Sequence, residues 1–385
     1  MQINQAGKRK PRIVAFITSY FPSVGGAEIC LRQVARRLSH LYDFLIITSR
    51  ADRRNLPHET LAEGQLRRLG LGFRWDKWLL PLTAAGLRRE LSDSADTGRP
   101  QALWAVDITQ AALAAAAMRR LEPRLPLLLS IQYGEADDRL ARGRMGLIGR
   151  SFSFMLTYAD RVSAISTPLV AAARCYGWDQ PVALIPNGVD LDVFHGKVGQ
   201  GGFDPPVATS VSRLVPKNGL DCLLRSIALL APHHPRIECR LIGSGQEETA
   251  LRRLSNSLGI ADRVHFLGDL PPEQVAEQLR RSTVFVRPSR SEGLGNAFAE
   301  AMACGLPVIG TPVGGTTDLI EDGVTGVMAE KDNPTDLAAK LGRLLADQRQ
   351  ANRLASAGQE NVRRNYSLDT SASRYAELFD DLLGL

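Results

Sequence analysis

The sequence predicts an α/β protein made of two Rossmann-like domains in tandem. Three observations carry this expectation. Short aliphatic runs alternate with helical patterns along most of the chain, the rhythm of parallel sheets with helices on both faces. The rhythm is interrupted once, by the Gly- and Pro-rich stretch HGKVGQGGFDPP at 195–206, and then restarts. The chain has 385 residues with 44% apolar side chains, enough for two ordinary cores.

The elements follow in order. RIVAFITSY (12–20) is a buried first strand, SVGGAE a glycine turn, and EICLRQVARRLSHL a helix. DFLIITS (43–49) and QALWAV (101–106) are the next strands, and an Ala-rich helix follows the second. LPLLLSIQ, DRVSAIS and VALIPNG complete the first set. The second set opens with PVATSVSRL and the helix GLDCLLRSIALLA. RIECRLIGSG, RVHFLGDL, EQVAEQLRRS, TVFVRPS, a helix from about Asn296, LPVIGT and VTGVMA continue it. The tail SASRYAELFDDLLGL reads as a helix that packs back on the first domain. These readings set domains at 1–195 and 205–368, with 370–385 joining the first.

Composition excludes several classes. Charged residues are 23%, ordinary for a globular protein. The N-terminus is basic, but the apolar run behind it is short and reaches Pro22, so it reads as a strand and not a signal peptide. No apolar run has the length of a membrane span. Cys30, Cys175, Cys222, Cys239 and Cys304 form no C-x-x-C and no zinc spacing, and are expected as buried thiols in a reducing compartment. Net charge is +6 and uneven: residues 1–200 hold 27 Lys/Arg against 18 Asp/Glu, the remainder 20 against 23. An anionic partner therefore suits the first half, although a solvated basic face gives the same count. Nucleic acid has no supporting motif.

The candidate site centres on SEGLGNAFAE (291–300). Pro288 fits a strand end, Gly293 and Gly295 build a turn, Asn296 is a good N-cap, and AFAEAMA is helix-forming. Open parallel sheets bind ligands at the carboxyl ends of their strands, and helix N-termini suit phosphates. Glu292 lies in the loop and Glu300 about one turn inside the helix, so the two acids can grip hydroxyls at either end of a long ligand. Arg213 and Lys217 follow the second half's first strand and can neutralise a diphosphate. Gly243 and Gly245 form another turn after a strand. A phosphate flanked by polyols, as in a sugar nucleotide, fits this layout. Each feature taken singly is also an ordinary surface acid, cation or turn.

Together SVGGAE, IPNGVDLDVF, SRLVPKNGL, LIGSGQ, VHFLGDL, SEGLGNAFAEAMACGLPVIGT and GGTTDLIEDGVTG resemble the retaining glycosyltransferases of family 4 (glycosyltransferase group 1). The likeness is strong from Ile185 to Ala346 and looser over 50–150. It implies a GT-B fold, with the two domains facing across a cleft, the first for the acceptor and the second for the donor. It implies that Arg213 and Lys217 bind the donor diphosphate and that Glu292, Gly293, Leu294, Gly295 and Asn296 hold its sugar and phosphate. Glu300 would take the ribose hydroxyls, and Leu267, Gly268, Asp269 and Leu270 would lie by the base. Gly25 and Gly26 would bring the first domain's loop to the diphosphate, with Asn187 and Gly188 near the crossover.

Many members of that family carry a T-x-H-G pattern after a first-domain strand. Here the stretch is LLSIQYGEADD, with Gln132 in place of a histidine. Gln132 cannot serve as a base but can hydrogen-bond a donor sugar. Glu135 or Asp137 are further acceptor-side candidates. Asp190 and Asp192 form a D-x-D, expected to be structural, so no metal and no cofactor beyond the nucleotide sugar is expected.

The expectation is thus a hexosyltransferase that moves a UDP- or GDP-linked sugar onto a glycan or lipid-linked glycan, in polysaccharide or glycolipid biosynthesis. Basic, aromatic stretches at 66–82 and 139–152 suit peripheral contact with the inner face of a membrane; amphipathic helices covering the sheet are the alternative. A dinucleotide oxidoreductase would want G-x-G-x-x-G after the first strand, where the chain has VGGAEI. A non-catalytic relative of the fold is the third alternative, and the presence of Arg213, Lys217 and Glu292 argues against it.

Overall fold

The structure, a computed structural model, describes residues 10–22, 25–91, 101–134, 143, 146–199 and 204–385. The chain divides into two compact units, Met1–Asn187 with Leu368–Leu385, and Gly188–Ser367. The division falls ahead of the Gly/Pro stretch that marks it in the sequence, and the described part of 195–206 belongs to the second unit. Contacts inside that unit explain this. A Cβ on Gly196 would meet the Cys304 carbonyl oxygen at 2.2 Å, and the Gln359 side chain donates to the Gly196 carbonyl at 2.9 Å.

The first unit holds eight strands: β1 (Arg12–Phe16), β2 (Asp43–Ser49), β3 (His58–Leu61), β4 (Gly64–Leu69), β5 (Gln101–Val106), β6 (Leu127–Ile131), β7 (Arg161–Ala164) and β8 (Val182–Leu184). Their order is β3-β4-β2-β1-β5-β6-β7-β8, parallel except for the β3–β4 pair. β1 is central and apolar because both its faces are covered. Its register with β2 places Arg12 opposite Asp43, and the two side chains pair at 2.8 Å. Trp104, Phe44, Tyr375 and Phe379 pack edge-on or tilted in the core. Two of these come from the C-terminal helix Leu368–Leu383, which lies against the helix Gly26–Leu38 and β5. Tyr42 donates to Asp380 on that helix at 2.6 Å.

β3 and β4 are absent from the sequence reading. The alternation in GQLRRL is masked because its second inward residue is Arg68, 6% exposed. Its guanidinium is satisfied by the carbonyls of Leu56 and Phe21 at 2.8 and 3.0 Å and by Glu59 at 2.9 Å. Of the cysteines, four are buried as expected, but Cys175 is exposed at the end of the helix Thr167–Cys175.

The second unit holds β9 (Val207–Val211), β10 (Glu238–Ile242), β11 (Val264–Gly268), β12 (Val284–Val286), β13 (Val308–Gly310) and β14 (Val327–Met328). All pair in parallel, in the order β11-β10-β9-β12-β13-β14. That is a doubly wound Rossmann sheet whose strand order reverses between β9 and β12. Such a reversal opens a crevice at the carboxyl ends of the two strands. No described helix is long and apolar enough to cross a membrane.

Candidate active site

The residues singled out in the second half converge on that crevice. Arg213 and Lys217 lie in the loop after β9; Glu292 to Asn296 lie in the loop after β12. The two loops are joined directly: the Arg290 amide donates to the Lys217 carbonyl at 2.6 Å. The Arg290 guanidinium adds bonds to the Pro216 carbonyl at 2.6 Å, Asp221 at 2.8 Å and Asp332 at 2.6 Å. Asn218, buried, donates to the Arg213 carbonyl at 2.6 Å and closes the first loop on itself. Gly219 ends it at φ 65°, where a Cβ would stand 2.0 Å from the Pro288 carbonyl oxygen. Only glycine fits there.

The neighbouring loops join the same rim. Leu214 donates to the Ser244 carbonyl at 2.8 Å, and a Cβ on Gly243 would lie 2.1 Å from the Ser212 carbonyl oxygen. Gly243 donates to Gly268 at 2.7 Å, and Ser244 to Asp269 at 2.6 Å. That brings Gly243 and the loop of Leu270 to the β9 loop. Gly293 and Leu294 are buried, while Arg213 is exposed and Lys217 half-buried.

The helix Asn296–Ala303 begins one residue earlier than its sequence signal. Its cap residue is Gly295, not Asn296. Gly295 has φ 94°, and a Cβ there would meet the Phe298 ring at 2.8 Å, so a side-chain cap is excluded. With no side chain bonded to its first turn, the helix leaves backbone N–H groups for an anion. Glu300 is half-buried one turn on. Burial pushes its carboxyl up to about 7, opposed by the Arg287 charge.

In the first unit Gly25 caps the helix Gly26–Leu38 after the β1 loop. Its Cβ would touch only the flexible end of Glu28, which Ser19 also holds at 2.6 Å. The β1 loop reaches the turn after β5, where Thr18 donates to Thr109 at 2.7 Å. Gln132 follows β6, and its side-chain carbonyl accepts from Asn187 at 3.3 Å. Asp190 accepts the Asp192 amide at 3.1 Å, as a turn-forming aspartate does. Glu135 and Asp137, with residues 139–142, 144 and 145 of the basic stretch 139–152, lie outside the described residues.

Comparison with known proteins places each unit. Residues 199–361 match the family model described as glycosyl transferases group 1. Residues 25–188 match the glycosyl transferase 4-like domain. The chain belongs to the group 1 glycosyltransferases. Among curated relatives, the GDP-mannose-dependent alpha-(1-6)-phosphatidylinositol monomannoside mannosyltransferase of Mycolicibacterium smegmatis is 32% identical over 54% of this chain and 58% of its own length. A D-inositol 3-phosphate glycosyltransferase of Nocardiopsis dassonvillei is 29% identical over 88% and 85%. The chain spans little more than half the length of the first of these. Sucrose-phosphate synthase from Thermosynechococcus elongatus has the same fold, at TM-score 0.82 and 22% identity over 98% of this chain and 100% of its own. So does Anabaena HepE in complex with UDP and glucose, at TM-score 0.78 and 20% identity over 97% and 100%.

Sequence reasoning about this group 1 member missed Arg287. It is 6% exposed at the end of β12, its guanidinium bonded to Glu292 and to the Val211 carbonyl at 3.2 Å. It also lies over the Phe298 ring, 5.1 Å from the centroid. The signal was present: an arginine ending the buried strand VFV requires an inward partner. Gly314, φ 51°, was also missed, and its Cβ would stand 1.8 Å from the Glu292 carbonyl oxygen.

Proposed function

We propose that the chain transfers a hexose from a UDP- or GDP-linked donor to a glycan or lipid-linked glycan, with retention of anomeric configuration and without a metal ion. The observation that carries this is the joining of the Lys217 loop to the Glu292 loop at the strand reversal of the second sheet. A diphosphate bound there meets Arg213, Lys217 and the N-terminus of the helix Asn296–Ala303. A nucleoside ribose can donate both hydroxyls to Glu300, and the transferred sugar can donate to Glu292. The names of relatives, one GDP-mannose-dependent, and a UDP-bound structural neighbour support a nucleotide-sugar donor.

In the reaction the bond between the anomeric carbon and the diphosphate oxygen breaks, and the acceptor oxygen bonds to the same carbon. Positive charge builds on the ring and negative charge on the leaving diphosphate. Fixed cations and main-chain amides stabilise the second without reorganising. Attack on the face the diphosphate leaves retains configuration, and the departing phosphate takes the acceptor's proton. This scheme requires no protein base, in keeping with Gln132 in the first unit.

A thermal-shift screen of UDP, GDP, their sugars and NAD tests the reading. One nucleotide and its sugar should raise the midpoint, and Lys217→Ala should remove the response. A response to NAD alone would overturn the proposal.

A further inference from the structure

Five exposed large apolar side chains of the first unit fall close together in sequence. Leu56, Leu71, Trp75, Trp78 and Leu82 are 61%, 66%, 52%, 45% and 73% exposed. Single exposed leucines are ordinary, but two tryptophans with leucines on either side are not.

The segment that carries them is firmly built. Asp76 is buried, and its carboxylate accepts the amides of Gly72 and Phe73 at 2.7 and 3.0 Å. Gly70, at φ 116°, leaves room for the same carboxylate, which a Cβ would approach to 2.5 Å. Leu80 and Ala84 are buried on the helix Leu80–Ala85, which packs on the helix Gln110–Leu121 and on β4. Phe73 and Trp75 stack at 5.5 Å. The inward residues thus fix a frame, and Leu71, Trp75, Trp78 and Leu82 point away from the core.

Between 70 and 82 the exposed charge has one sign, and Asp52, the acid beside Arg53, is paired with Arg54 at 2.6 Å. Between 70 and 82 the charged residues are Arg74, Asp76 and Lys77, and the single acid is the buried one. Arg74 and Lys77 are exposed. The exposed Arg53 lies over the Phe73 ring, 4.4 Å from its centroid. Interfacial tryptophans, leucines that reach acyl chains and cations that meet phosphates are the requirements of one kind of partner. A nucleic acid would leave the leucines unused, and an uncharged protein face would leave the cations unused.

We propose that Leu71, Trp75, Trp78 and Leu82, flanked by Arg53, Arg74 and Lys77, form a docking surface for the headgroup region of an anionic lipid bilayer. The inference goes beyond the glycosyl-transfer reading and stands without it.

The test uses the full chain and sedimentation with vesicles of phosphatidylcholine, alone or mixed with phosphatidylglycerol. The chain should bind the mixed vesicles, and added salt should weaken binding. Arg74→Gln and Lys77→Gln should each cost about fivefold. Trp75→Ser with Trp78→Ser should abolish binding while the variant still melts in one cooperative transition, which shows that the chain remains folded. Trp104 and Trp178 are buried, so a blue shift of tryptophan emission on adding vesicles reports Trp75 and Trp78 and should vanish in that double variant. The proposal is overturned if neither vesicle is bound, or if the double variant binds as well as the parent. It is also overturned if the surface proves to join two copies of the chain, seen as lipid-free self-association that the double variant loses.

Discussion

Arg287 holds Glu292 from beneath: its guanidinium donates to a Glu292 carboxylate oxygen, and both side chains are almost out of solvent, at 7% and 14% exposure. One carboxylate oxygen is thereby committed within the fold. The acid is fixed in place before any ligand arrives. Breaking a buried pair from one side leaves an uncompensated charge, which costs about 3–5 kcal/mol. Arg287→Leu should therefore lower the unfolding free energy by about that amount. Denaturant titration measures it, and an unchanged midpoint would refute the role.

Arg213 and Lys217 differ from Arg287 in being at least partly open to solvent. Arg213→Ala should leave the melting midpoint within a degree or so yet weaken nucleotide diphosphate binding. A charge-assisted hydrogen bond is worth about 1.5–3 kcal/mol, or roughly tenfold to a hundredfold in Kd. Calorimetry of Arg213→Ala and of Lys217→Ala provides the comparison. Equal affinity in the parent and in both variants would remove the diphosphate from this loop.

Glu300 predicts a pH dependence. Burial raises its carboxyl to about 7, so the neutral acid favours the folded state at low pH and that contribution is lost as pH rises through 7. Ribose hydroxyls bind best to the carboxylate, so donor binding favours the deprotonated form. Affinity for a nucleotide-diphosphate sugar should rise about tenfold from pH 6 to pH 8. Glu300→Gln should bind more weakly and show a flat profile. A parent profile as flat as the variant's would show that Glu300 does not touch the ligand.

Gly219 joins the cation loop to its helix at a conformation alanine resists, with the Pro288 carbonyl where a methyl would be. Gly219→Ala should cost about 1–3 kcal/mol from backbone strain alone and weaken nucleotide binding as well, since the Lys217 loop must shift. A variant with parental stability and affinity would mean that the loop tolerates displacement.

EDTA should leave sugar transfer unchanged, because Asp190 is spent on the Asp192 amide and the proposed diphosphate charge is met by Arg213, Lys217 and backbone N–H groups. An assay with and without added magnesium decides it. Turnover that is lost on chelation and restored by the metal would contradict the scheme.

The sequence alone determined the alternation of strands and helices, because β-branched runs such as DFLIITS and amphipathic runs such as EICLRQVARRL each satisfy one period. It also placed Arg213, Lys217, Glu292 and Glu300 after or near strand ends, since glycines and prolines punctuate those loops. Three things needed the tertiary structure. The order β11-β10-β9-β12-β13-β14, with its reversal between β9 and β12, is a pairing of strands distant in the chain, and no local signal encodes it. The partners of Arg287 and Arg68 lie across other strands and loops, so a charge inside an apolar or alternating run looked anomalous until its acceptors were known. The unit boundary at Asn187 was set by what Gly196 and Gln359 pack against, and composition records only that a stretch is rich in glycine. Local periodicity is written in neighbouring residues; pairing, burial and charge compensation are decided where distant ones meet.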